Sequence, residues 1–152
     1  VCSSDLDQGL NTIKGHPNNI ENRKKAIHTL NTWLVFENNR LKYVGNTPGG
    51  DYQVMWNMQM ISHLLDDKMD VFEAVNSIKW RANYHDGHHQ IELEENISEE
   101  IIEELQSLGH DIKLIPPYSA SGASEIIQIF DNHLEGGCDP RCDGCALAVE
   151  NM

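Results

Sequence analysis

The sequence predicts an α+β fold, because strand-like and helix-like segments follow one another in mixed order without regular βαβ alternation. Two patterns carry that expectation. Short apolar runs bounded by turn residues, at 33–36, 41–44, 90–93, 112–115 and 126–130, read as strands. Three longer segments with apolar positions three and four apart, each opened by a polar cap, read as helices.

In chain order, 9–25 is polar, rich in Asn and centred on the turn cluster Gly15-His16-Pro17-Asn18-Asn19, so an extended loop is expected. The runs 33–36 and 41–44 flank Glu37-Asn38-Asn39-Arg40, whose paired Asn residues tolerate the positive φ angles of a tight hairpin. After Gly49-Gly50, Asp51 is the natural N-cap of a first helix. Its apolar stripe of Val54, Met58, Ile61 and Leu65, widened by Met55 and Leu64, is expected to face the core. A second helix starts at Asp70 with Glu73 completing a capping box, buries Val71, Val75 and Ile78, and ends near Trp80. Ser98 opens a third, with Glu99 and Glu100 in its first turn; Ile101, Leu105 and Leu108 face inward and Gly109 stops it. Pro116-Pro117 and the small residues 119–124 lead into the strand 126–130 and then a tail rich in Gly and Cys.

With 152 residues and 39% hydrophobic content, one domain or a large piece of one is expected. Residues 1–8 are set apart as a non-native or disordered leader. The chain opens on Val1, and its first six residues, VCSSDL, read like translated sequencing-adapter sequence, which suggests a truncated reading frame. The unit of interest is 9–152. No apolar run approaches the roughly 20 residues that cross a bilayer. A formal charge of −13, from 24 acidic and 11 basic residues, repels phosphate backbones and anionic lipid, which excludes nucleic acid and membrane as partners. Glu92, Glu94, Glu95, Glu99, Glu100, Glu103 and Glu104 carry much of that charge and read as the solvated face of one strand and one helix.

The segment Thr47-Pro48-Gly49-Gly50-Asp51 holds the sharpest chemical signal. Two glycines before a helix leave backbone N–H groups unobstructed at the positive end of the helix dipole, where an oxyanion or carboxylate is stabilised. The same residues also make an ordinary strand-to-helix turn.

A run of motifs then resembles the gamma-glutamyltransferase family, especially its bacterial gamma-glutamyltransferase-like branch. It comprises His28-Thr29-Leu30-Asn31, the hairpin, Gly45-Asn46-Thr47-Pro48-Gly49-Gly50-Asp51-Tyr52-Gln53, the helix Trp56-Asn57-Met58-Gln59, the stretch 70–80, and Gly136-Gly137-Cys138-Asp139-Pro140-Arg141. The last is similar to the family's closing Gly-x-Ser-Asp-Pro-Arg element. The resemblance covers the chain from about His16 onward and implies part of a four-layer αββα sandwich, that of an N-terminal-nucleophile hydrolase matured by self-cleavage into two subunits. It also implies gamma-glutamyl amide hydrolysis or transfer on glutathione-type substrates, through an acyl-enzyme on a Thr freed at the new N-terminus. Gly49 and Gly50 match the oxyanion donors. His28 and Thr29 fall where the best-known members hold the substrate α-carboxylate with Ser-Ser, so one hydroxyl is kept and the other becomes imidazole. The nucleophile is expected upstream, because Thr12, Thr29, Thr32 and Thr47 all lie inside continuous sequence without the free amine that activates it. The isolated chain is therefore expected to be inactive. Its expected partners are a gamma-glutamyl substrate, the large subunit and the upstream part of the small subunit. No cofactor is implied, and the family's usual periplasmic or extracellular setting leaves the compartment open.

Other constellations compete. Cys138, Cys142 and Cys145 have the x3 and x2 spacing of soft-metal and iron–sulfur ligands, but they sit at the end of the chain on the family's closing loop and read as substitutions there; with Cys2 alone, no even disulfide framework is indicated, which fits a reducing compartment. His85, His88 and His89 with Asp86 fit no standard zinc pattern and read as a solvated loop, so no metal is expected. A glutaryl-type acylase of the same fold and a non-catalytic binding module are the alternative functions.

Overall fold

The structure, a computed structural model, describes residues 13–19, 21–24, 30–85 and 87–148, with Asp51 and His85 through their backbone alone. The expected leader, His28, Thr29 and Asp86 lie outside the described residues. Strands β1 (Trp33–Glu37) and β2 (Arg40–Asn46) form the expected hairpin. Asn38 and Asn39 have φ of 50° and 61°, which the sharp two-residue turn demands and which Asn tolerates. Strand β2 then pairs with β6 (Glu125–Ile129) and β6 with β7 (Leu134–Cys138), all antiparallel, giving the order β1-β2-β6-β7. Strand β7 occupies what the sequence suggested was only a tail.

Helices α1 (Gln53–Leu65) and α2 (Val71–Asn76) contribute to one core with this sheet, built from Tyr43, Ile126, Met60, Leu64, Val71, Ala74 and Val75, with Trp33, Val35, Leu65 and Met69 packed around it. Each fully buried large apolar side chain there is worth roughly 1.5–3 kcal/mol. The capping box at α2 is present in both directions, Glu73 N–H to Asp70 Oδ1 at 2.8 Å and Asp70 N–H to Glu73 Oε2 at 3.1 Å. The helix stops at Asn76, earlier than the expected end near Trp80, because Trp80 opens strand β3 (Trp80–His85).

Strand β3 pairs antiparallel with β4 (His88–Glu94), and β4 pairs parallel with β5 (Asp111–Ile115) through the crossover helix α3 (Glu99–Ser107). The histidine segment is therefore the tip of a hairpin rather than a loop, turning at Gly87, with His88 and His89 exposed and the His89 ring 4.8 Å from that of Tyr84. Helix α3 buries none of its residues. Ile101 and Leu108 are exposed and Leu105 half-buried, contrary to the inward face expected of them, because α3 packs mainly on β5 at the edge of the small sheet.

Helix α1 departs further from expectation. A 3₁₀ turn (Gly50–Tyr52) precedes it, so its N-cap is Tyr52 and not Asp51, and no side chain caps it. The buried face is Gln53, Trp56, Asn57, Gln59, Met60 and Leu64, while Val54 is 70% and Met58 51% exposed. Of the expected apolar stripe, Val54 and Met58 thus point away from this chain's core and Ile61 is half-buried, while Leu64 lies in the core and half-buried Leu65 packs against it. Val54, Met58, Ile61 and Leu65 line, with Asn31 and Trp33, an open groove of about 520 Å³. No described helix is long and apolar enough to cross a membrane.

Candidate active site

The turn between β2 and α1 is built by its two glycines. Gly49 has φ 138° and Gly50 φ 56°, angles that cost a side-chain-bearing residue free energy, and a Cβ on Gly49 would lie 2.1 Å from the Trp56 ring. The turn closes with Tyr52 N–H donating to Gly49 O at 3.2 Å. Among the described residues no acceptor takes the Gly49 or Gly50 N–H. Thr47, fully buried, donates through Oγ1 to Ala123 O at 2.9 Å, which fixes the start of the turn to the loop before β6.

Trp56 backs this turn. It is fully buried and touches Gly49 on one side; on the other it meets Gly122, where a Cβ would lie 2.3 Å from the ring. Its neighbour Tyr52 is 5.6 Å away between centroids, and the Tyr52 ring carries the Arg81 guanidinium at 4.9 Å. Buried Gln59 clamps α1 to β3, donating to Trp80 O at 2.8 Å and accepting from Trp80 N–H at 3.2 Å. Buried Asn57 donates to Asn31 O at 2.9 Å and accepts from Trp33 Nε1 at 3.0 Å. That pair of bonds moors the segment that follows His28 and Thr29 against the outer groove of α1. The buried side-chain atoms without a partner among the described residues, Asn46 Oδ1 and Trp56 Nε1, belong to residues on either side of the glycine turn.

Behind Gly122 lies a buried charge cluster that the sequence reading did not foresee. Lys79, with no exposed surface, donates to Gly122 O at 2.8 Å, Ser124 Oγ at 2.9 Å and the Asp139 carboxylate. Three acceptors around Nζ match the three donors of an ammonium. Arg141 forks onto Glu94, with Nε to Oε1 at 2.8 Å, reaches Asp139 Oδ1 at 2.9 Å, and donates to Ser77 O at 2.9 Å and Val75 O at 3.3 Å. Backbone N–H groups of Ala120 and Lys79 complete Glu94, and those of Ser124 and Arg141 complete Asp139. Burial pushes both carboxyls up, but the cationic partners and these N–H donors outweigh it and hold Glu94 and Asp139 below the usual carboxylate range. Burial lowers Lys79 despite the pull of Asp139.

The expectation of a wholly solvated acidic face is corrected here. Glu94 is completely buried, and Glu92 is 7% exposed between Arg81 and Lys113, at 2.6 Å from Arg81 Nε and 2.8 Å from Lys113 Nζ. Glu95, Glu99, Glu100, Glu103 and Glu104 are exposed as expected. A lone Lys between Ile78 and Trp80 was the available signal for the cluster, but its partners lie 15 to 60 residues away in sequence. Cys138, Cys142 and Cys145 are free thiols at the edge of this cluster, and among the described residues no group of three His, Cys, Asp or Glu side chains is arranged to hold a metal.

The chain is 26% identical over 140 residues to the glutathione hydrolase-like YwrD proenzyme of Bacillus subtilis (strain 168), covering 90% of this chain and 27% of that protein. It is 27% identical over 127 residues to the oxamate amidohydrolase proenzyme of Klebsiella pneumoniae, covering 81% of this chain and 24% of that one. The chain thus spans about a quarter of the length of these curated relatives. Among solved structures it resembles Helicobacter pylori gamma-glutamyltranspeptidase in its T380A mutant form, with TM-score 0.69, 24% identity, and coverage of 86% of this chain and 70% of that chain. It also resembles the cephalosporin acylase of Bacillus halodurans, with TM-score 0.77, 23% identity, and coverage of 97% and 27%. The α+β fold of this chain is the fold it shares with these two structures. The profile of the gamma-glutamyltranspeptidase family matches residues 4–149, and the chain belongs to that family.

Proposed function

We propose that the full-length protein hydrolyses or transfers gamma-glutamyl groups of glutathione-type substrates, through an acyl-enzyme on an N-terminal Thr that lies outside this chain. In this reading the Gly49 and Gly50 N–H groups receive the oxyanion formed when the Thr attacks the amide, and His28 and Thr29 hold the substrate α-carboxylate. The observation that carries the proposal is the glycine turn itself: two amides without acceptors among the described residues, at positive φ, braced by Trp56 ahead of α1. Such donors act without reorganising as charge develops, and one of them is typically worth on the order of 3 kcal/mol in the transition state. Thr47 cannot serve as the nucleophile, since its hydroxyl is buried and committed to Ala123 O. Both curated relatives are named proenzymes, which supports maturation by cleavage.

The rest of the protein, a large subunit and the upstream part of the small subunit, has a seat on this chain. The stripe Val54, Met58, Ile61 and Leu65, exposed at Val54 and Met58 and half-buried at Ile61 and Leu65, is the kind of surface that a further layer of a sandwich covers.

A second reading, a glutaryl-type acylase, is favoured by the His in place of a hydroxyl at position 28 and is compatible with the likeness to a cephalosporin acylase. Turnover of gamma-glutamyl and glutaryl anilides by the full-length protein separates the two. The proposal expects a clear preference for glutamyl, and equal rates would argue against a dedicated α-amino pocket. It also expects no turnover by the 152-residue chain alone, so activity of that chain would sink it. Absence of a Thr after a cleavage point upstream would favour a non-catalytic module.

A further inference from the structure

Strand β7 ends at Cys138, and the next four residues fold back on it. Cys142 N–H donates to Asp139 O at 3.3 Å, and the Cys142 thiol reaches the same carbonyl at 3.3 Å, which seals a tight turn over Asp139-Pro140-Arg141. The two sulfurs converge on one spot: a Cβ on Gly144 would lie 2.5 Å from Cys138 Sγ and 3.4 Å from Cys142 Sγ. Both thiols are half-buried, whereas Cys145 is exposed. The third neighbour of that spot is Glu125 Oε1 at 3.5 Å.

We propose that Cys138 and Cys142 are a redox modification site, which closes to an intramolecular disulfide across the Asp139-Pro140-Arg141 turn by exchange with a low-molecular-weight disulfide. In the first step the Cys142 thiolate attacks one sulfur of the oxidant, forming a mixed disulfide and releasing one small thiolate. Cys138, once deprotonated, then attacks Cys142 Sγ and displaces the second. Two protein thiols are oxidised to one disulfide, the oxidant is reduced to two thiols, and the two protons lost by the protein end on them.

Burial, the neighbouring Cys142 thiol, and the charges of Glu125 and Asp139 push Cys138 up to about 11, so Cys138 is the held-back partner and its attack is the slow step. The turn that would be bridged is the one carrying Asp139 and Arg141. Closure would pin these two residues, which tie β3, β4 and the end of α2 to the loop backing the glycine turn.

The test is thiol mapping by mass spectrometry on the full-length protein treated with 2-hydroxyethyl disulfide and then alkylated; this oxidant is chosen because glutathione disulfide is a glutathione-type molecule that the proposed activity could consume. The expected result is a Cys138–Cys142 link with Cys145 alkylated, retained in Cys145→Ser and abolished in Cys142→Ser. The oxidised protein should also melt several degrees higher. A link through Cys145, a mixed disulfide that persists in the wild type, or an unchanged free-thiol count would each overturn the proposal. The wild-type map decides it even where a variant fails to fold.

Discussion

Lys79 illustrates how much a single buried charge commits in this protein. Its ammonium has no exposed surface and three acceptors, so removing it strands the Asp139 carboxylate in the interior beside Arg141. Replacing one member of such a pair leaves an uncompensated charge and costs about 3–5 kcal/mol, far more than an exposed ion pair such as Arg40 with Asp131. Lys79→Met is therefore expected to lower unfolding free energy by about that amount, read by urea denaturation. Arg40→Ala, whose partner is almost fully solvated, should stay within about 0.5 kcal/mol of wild type. The carboxylates of the cluster give a pH signature of known sign. Glu94 and Asp139 have folded pKa values below their unfolded ones near 4, so their contribution is complete above about pH 4 and is lost as pH falls through the folded values. Thermal melts across an acid series should show the melting temperature dropping below about pH 4, and a smaller drop in Asp139→Asn.

Among the elements, α1 does most to position the candidate site, and its two polar faces do different work. Gln59 fastens it to β3, and Asn57 fastens the segment after His28 and Thr29 to its outer side. Asn57→Ala leaves the half-buried Trp33 Nε1 without its acceptor and frees Asn31, a loss of roughly 1–3 kcal/mol. In the full-length protein this change is expected to raise KM for a gamma-glutamyl anilide about tenfold with kcat nearly unchanged, since it loosens the segment proposed to hold the substrate carboxylate and leaves the glycine turn in place. Steady-state kinetics on the variant check it. The elements best read from sequence were those fixed by local chemistry. The Asn38-Asn39 turn, the Asp70–Glu73 capping box and the strands at β4, β5 and β6 depend on residues within a few positions of each other. The face of α1 was misread in its first half, where Val54 and Met58 were assumed to meet this chain's own core, whereas Trp56, Asn57, Gln59 and Met60 are buried and Leu64 alone of the expected stripe lies in the core cluster. Strand β3 escaped notice because WRANYH alternates poorly, and β7 because LEGGC offers little side chain to pack.

At the scale of the molecule, motifs far apart in sequence converge. Thr47 to Ala123, Trp56 between Gly49 and Gly122, and Lys79 to Gly122 and Asp139 form a continuous support behind one turn. The ordered run of motifs was legible, and the family it suggested holds. The charge cluster was not legible, because a lone Lys between Ile78 and Trp80 and a Glu within an acidic run do not show that they are buried until contacts 15 to 60 residues away in sequence are known. The groove on α1 opens beside exposed Val54 and Met58, the apolar surface proposed to receive the rest of the protein. Met58→Lys is expected to leave the isolated chain within about 0.5 kcal/mol of wild type, since Met58 is half exposed, but to weaken association with the rest of the protein. Co-purification of separately tagged pieces measures that difference.

Gly50→Ala in the full-length protein bears on the proposed stabilisation, by the Gly49-Gly50 turn, of an oxyanion made by a nucleophile from elsewhere in the protein. At φ 56° an added methyl strains the turn that carries these N–H groups. Single-turnover acylation by a gamma-glutamyl anilide should slow about 10²-fold with substrate affinity almost unchanged. An acylation rate equal to wild type in a correctly self-cleaved Gly50→Ala enzyme would contradict the account.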